Sequence, residues 1–160
     1  MNETLLLQNA LLFEQGHSRR TRHILSVYGF AKIIGENAHL SERNLNILLA
    51  AAILHDIAIK YCKEKYHGDA CQENQRKEAT HLAKKFLREA NYPTDYNEEI
   101  IYLIKSHHLY NDIRNELQQL LIEADLIVNC LEAEKPAQKA KAVAHLFKTA
   151  TGKQLLNSIR

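Results

Sequence analysis

The chain has 160 residues, the length of one domain with a substantial buried core. Its 21 Lys and Arg against 19 Asp and Glu leave a net charge of +2, which argues against an extended nucleic-acid surface. The three cysteines, Cys62, Cys71 and Cys130, show no CxxC spacing; this excludes zinc-finger and thioredoxin-like readings and suits free thiols in a reducing cytoplasm.

Only two prolines and five glycines interrupt a chain rich in Leu, Ala, Ile, Lys and Glu, and no segment alternates as a strand would. The expectation is an all-α fold, one domain over residues 1–160. The opening Met1-Asn-Glu-Thr-Leu-Leu-Leu-Gln has an early acid and a short apolar run, so it is not a secretory signal. It begins a short helix over about Glu3 to Glu14. A longer helix follows from Ser18 to Glu36, with Ile24, Val27, Tyr28, Ala31 and Ile34 on one face and His23 at the start of that face. The basic run Arg19-Arg20-Thr21-Arg22 at its beginning reads first as solvated surface and second as a phosphate contact.

Ser41 and Glu42 are good start signals for the next helix, expected to reach Ile59. Its apolar run, Ile47 to Leu54, is far shorter than a membrane span, so no membrane partner is expected. Residues 61 to 72 are polar and Gly-containing and read as a loop or short helix over the site. Helices are then expected over Asn74 to Ala90, Asn97 to His107 and Ile113 to Glu132, with a turn at Tyr92-Pro-Thr-Asp-Tyr96. Pro136 starts a last long helix to Thr149, Gly152 suits its end, and a short helix closes the chain at Lys153 to Ile159.

The chemistry concentrates at His55-Asp56, which ends the buried helix. Buried polar groups are costly unless paired or bound to metal. Taken singly, each further candidate has an ordinary reading. His23 reads as a core histidine and Asp125, inside the stripe Leu117, Leu120, Leu121, Ala124, Val128, Leu131, as a hydrogen-bonded acid; Glu123 points away from that stripe. His107 and His108 diverge on a helix unless it ends there. Glu78 and His81, three residues apart, share a face that could simply be solvated. Jointly, imidazoles and carboxylates at helix ends and on inward faces read as a metal site for Fe, Mn, Ni, Zn or Mg.

Three segments carry a family resemblance: Arg22-His23-Ile-Leu-Ser-Val-Tyr, Ala52-Ile-Leu-His55-Asp56-Ile-Ala-Ile-Lys60 and Glu123-Ala-Asp125-Leu-Ile-Val-Asn. A His, a His-Asp pair 32 residues on and an Asp a further 69 residues on resemble the HD superfamily of metal-dependent phosphohydrolases, over about Arg19 to Asn129. The Phe147-Lys-Thr-Ala-Thr-Gly152 segment also resembles the C-terminal end of its compact members. The resemblance implies an HD-type helical bundle with C-terminal helices over 136–160 and a central metal site. In it His23, His55, Asp56 and Asp125 ligate the first of one or two divalent ions, and Asp56 can bridge to a second.

Multi-metal relatives, such as HD-GYP phosphodiesterases and HD-type diadenosine tetraphosphate hydrolases, add a His on the following helix and one or two more before the last Asp. His107 and His108 match the later pair. The earlier ligand would fall on Glu78, with His81 one turn further. The segment after His55-Asp56 departs from cyclic-dinucleotide phosphodiesterases, and their Gly-Tyr-Pro motif is missing, so that activity is disfavoured.

The expected activity is cleavage of a phosphoester or phosphoanhydride of a small, nucleotide-like substrate by a metal-activated water. Asp56 would hold the metal and orient the nucleophile. Lys60 is a catalytic and substrate-binding candidate, with Arg19 and Arg22 to neutralise phosphate. His81 or His108 would act as leaving-group acid. The alternatives are a non-catalytic nucleotide or metal sensor, a di-iron oxygenase of the HD type and a purely structural polar network. A homodimer is one of the open oligomeric states.

Overall fold

The computed structural model describes all 160 residues and contains no strand. Nine α-helices follow one another: α1 Glu3–Phe13, α2 Ser18–Asn37, α3 Glu42–Leu54, α4 Ala58–Lys65, α5 Gln72–Glu89, α6 Asn97–Ser106, α7 Glu116–Leu131, α8 Pro136–Val143 and α9 Ala150–Asn157. The most apolar of them is central. Every residue of α3 from Ile47 to Leu54 is buried, and a helix apolar on all sides needs neighbours on all sides. α1, α2, α6 and α7 supply them. α7 is nearly as enclosed, with its buried run extending from Leu117 to Val128. α4 and α5 pair at one side, and α8 and α9 close over α7.

By length and composition Glu42–Lys65 could cross a membrane, with a mean hydropathy of 1.5. α3 and α4 together make that stretch longer than the apolar run read from the sequence. Within the fold 67% of its apolar window is buried, as in a core helix.

Three boundaries differ from expectation, each for a local reason. The central helix stops at Leu54 instead of Ile59. Tighter bonds from Ile57 N to Leu54 O (3.0 Å) and from Ile59 N to Asp56 O (3.1 Å) turn the chain at His55-Asp56, and α4 then claims part of the expected 61–72 loop. α7 starts at Glu116 instead of Ile113, because the Asn115 side chain accepts from Gln118 N at 2.9 Å.

The long last helix is broken. α8 ends at Val143, a 3₁₀ turn covers Ala144–Leu146, and Phe147 is extended and buried. Thr149 then caps α9, accepting from Gly152 N at 2.9 Å. Gly152 therefore sits in the first turn of a helix and not at the end of one. The cause is Glu123, fully buried on the face of α7 that α8 and α9 cover. Its carboxylate accepts from Gln119 Nε2 (2.7 Å), Lys148 N (2.6 Å), Thr149 N (3.0 Å) and Thr149 Oγ1. All three cysteines are free thiols.

Candidate metal centre

The turn after α3 is where the site begins. His55 Nδ1 donates to Ala52 O at 2.7 Å, capping a carbonyl the helix end leaves unpaired. That bond fixes the tautomer and leaves Nε2 as the ligating nitrogen. The end of α6 repeats the device: His107 Nδ1 donates to Ile104 O at 2.6 Å, and His107 Nε2 is buried without a partner. Because α6 ends at Ser106, His107 and His108 lie beyond the regular helix, and the 100° divergence of helical neighbours does not separate them.

Side chains from α2 and α7 complete the cluster. His23 Nε2 lies 3.1 Å from His55 Nε2, 3.1 Å from Asp125 Oδ1 and 3.5 Å from Asp56 Oδ2. His55 Nε2 is 3.3 Å from Asp56 Oδ2, and His107 Nε2 is 3.6 Å from Asp56 Oδ1. Three overlapping sets have ligand atoms close enough to share an ion: His23, His55 and Asp125; His55, Asp56 and His107; His107, His108 and Asp125. Converging imidazole nitrogens and carboxylate oxygens, with an orphaned buried Nε2 among them, are a donor set that fits a divalent cation.

Outer partners hold these ligands in place. Glu132, the C-cap that follows α7, accepts from His23 Nδ1 at 3.1 Å. Asn129 donates to Asp125 Oδ2 at 2.9 Å. Neither was singled out from the sequence, although each lies on the Asp125 face of α7, one and two turns on. Lys63, which borders the site, was missed as well, and Arg20 of the basic run at the start of α2 borders it too.

Not every expected residue arrives. Glu78 accepts from Lys65 Nζ and Tyr66 OH, both at 2.6 Å, and joins none of the three sets. His81 is exposed and packs edge-on against the Tyr61 ring. The expectation that one of them supplies the α5 ligand is corrected: the α5 residues lining the crevice with His55, His107 and His108 are Gln72, Gln75, Arg76 and Ala79. The placement was one residue off, about 100° around the helix axis, since Ala79 and not Glu78 is on the site face. Lys60 is also corrected. Its Nζ donates to Phe13 O at 2.7 Å and lies over the Phe13 ring, tying α4 to the end of α1. Arg22 is exposed and lines no cleft at the cluster, whereas Arg19 does.

Packing the cluster together moves its protonation. Burial disfavours a charged ring at His55, but the Asp56 and Asp125 carboxylates outweigh it and push the ring up to about 9. At His23 burial is likewise overcome, chiefly by the Asp125 hydrogen bond, and its pKa rises. Burial would raise Asp56 and Asp125, yet the facing imidazoles hold both below the usual carboxylate range. His108, half-buried beside His107, is pushed down to about 4 by that desolvation and is neutral at physiological pH.

A proton held to about pH 9 must leave before a cation takes its place. Apparent metal affinity is therefore expected to increase as pH rises from about 6 to about 9, with protons released on binding. Calorimetric titration in two buffers of different ionisation enthalpy measures this; a pH-independent affinity without proton release would contradict it. In the metal-free protein the raised ring stabilises the fold below about pH 6.5, and this contribution is lost as pH rises through about 9.

The fold and the cluster define an all-α protein with a buried His/Asp centre suited to a divalent cation. The family model for the HD domain matches residues 20–147, and the chain belongs to that family. No curated protein and no solved structure matches it.

Proposed function

We propose that this HD protein is a cytoplasmic, metal-dependent phosphohydrolase acting on a small, nucleotide-like phosphorylated substrate, without nucleic acid or membrane as partner. The observation that carries the proposal is the meeting of His23, His55, Asp56 and Asp125 at the ends and inner faces of three helices, beside an open cleft with cationic walls. These four would hold the first ion. His107 and His108, with Asp125 shared, offer a second, poorer set, since α5 adds neither imidazole nor carboxylate to it. That shortfall disfavours a di-iron oxygenase. The imidazole content favours Mn, Fe, Ni or Zn over Mg.

When bound, the ion supplies activation of water and polarisation of phosphoryl oxygens. The chain's own part is positional. Ala52 O and Glu132 orient the two imidazoles, Asn129 orients Asp125, and the cations of the cleft attract the anionic group. A neutral His108 cannot serve as proton donor, and His81 lies outside the cluster, so neither supports the leaving-group role expected of them.

Phosphate release from a panel of phosphomonoesters and phosphodiesters tests the reading. Turnover should vanish on chelation and return with added Mn²⁺ or Zn²⁺. Metal binding with no release from any substrate would favour the sensor alternative.

A further inference from the structure

The largest opening beside the cluster is a cleft of about 540 Å³ between the start of α2 and α4, bordered by His23 and Asp56. A volume of this order admits a small metabolite. Its walls are unusual for a metabolite site. Ligand pockets are mostly apolar and aromatic, but here Ile59 is the one hydrophobic residue among 11 and no Phe, Tyr or Trp takes part. A nucleobase binds through its flat faces, by stacking on aromatic or apolar groups. This cleft offers it no Phe, Tyr or Trp face and only one apolar side chain; its rings are those of His17 and of His23, the latter tied to Glu132 and Asp125.

What the cleft offers is charge and hydrogen bonding. Arg19 and Lys63 are exposed and form no ion pair. Arg20 bonds Glu14 at 2.6 Å yet keeps a terminal nitrogen without a partner. Ser18 and Asn129 add small polar groups. The start of α2 lacks a side-chain cap, so the first amides of a 20-residue helix also face anions favourably from this side.

We propose that this cleft recognises a phosphomonoester by its phosphate and the adjoining hydroxyl-bearing carbons, as in a sugar phosphate, and leaves any base in solvent. Arg19 and Lys63 are its specificity-determining cations. The proposal rests on the phosphohydrolase reading and narrows it to monoesters chosen without regard to base.

The test compares ribose 5-phosphate, AMP and CMP on the metal-loaded protein. kcat/KM values within about threefold of one another are expected, since the base contributes little binding. A preference above about tenfold for either nucleotide over ribose 5-phosphate, or for one base over the other, would overturn it. Arg19→Ala with Lys63→Ala should raise KM at least about tenfold for all three, with kcat nearly kept and metal content unchanged. An unchanged KM would also overturn it.

If no ester turns over, calorimetry with inorganic phosphate separates the two claims. Phosphate that binds the metal-loaded protein and is lost in the double variant supports the cleft while hydrolysis fails. Phosphate that does not bind, or binds the variant equally well, defeats the cleft.

Discussion

Replacing His55 and Asp56 together by alanine is expected to abolish metal binding and phosphate release while the helices persist. The two side chains take part in most of the short contacts of the centre. Even outer partners of metal ligands commonly contribute about 10- to 100-fold in affinity or activity. Loss of two inner donors should therefore exceed about a hundredfold in both. The fold should survive because α3 is buried over its whole last two turns without help from either residue, and because His23 and Asp125 still bond each other. Helical circular dichroism close to the wild type, together with loss of metal and of turnover, is the expected result. Retained turnover would remove His55 and Asp56 from the chemistry.

Gly152→Ala should be the most damaging of the glycine substitutions. A β-carbon there would stand 1.9 Å from Glu123 Oε2 and 2.8 Å from Thr149 Oγ1. Glu123 cannot swing aside, since it is fully buried and accepts four hydrogen bonds from Gln119, Lys148 and Thr149. Overpacking costs about 1–3 kcal/mol, and donors stripped of a buried acceptor cost a similar amount. A destabilisation of about 3 kcal/mol or more is expected in urea unfolding, with α8 and α9 loosened from α7. Gly29 is the control. It lies inside α2, and a β-carbon there meets nothing within 4 Å. Gly29→Ala should stabilise by about 0.5–1 kcal/mol through helix propensity alone. Equal effects of the two substitutions would refute the buried cap.

Element existence was legible in the sequence because apolar periodicity and caps are local properties. Ser41 and Pro136 mark their helix starts as expected. The breaks were not legible, because their causes lie elsewhere in the chain. α9 begins where it does because Glu123, 26 residues before Thr149, accepts its amide. A charge inside an apolar helix shows neither its burial nor its partner. Likewise His23, His55, Asp56, Asp125, His107 and His108 could be picked out, since each stands at a helix end or on an inward face, and the structure brings all six together. Glu78 and His81 failed because the rotation of α5 about its axis, not its sequence, decides which face meets the centre. Lys60 failed because a long flexible side chain can reach either neighbour, and here it reaches the end of α1.

The central claim is that one divalent cation is held by His23, His55, Asp56 and Asp125. Anomalous scattering from a crystal of protein loaded with Mn²⁺ or Zn²⁺ tests it most directly. The account predicts a strong peak within bonding distance of His23 Nε2, His55 Nε2 and the Asp56 and Asp125 carboxylates, with weaker or no occupancy beside His107 and His108. No peak after loading, or one that leaves His23 and His55 unligated, would contradict it.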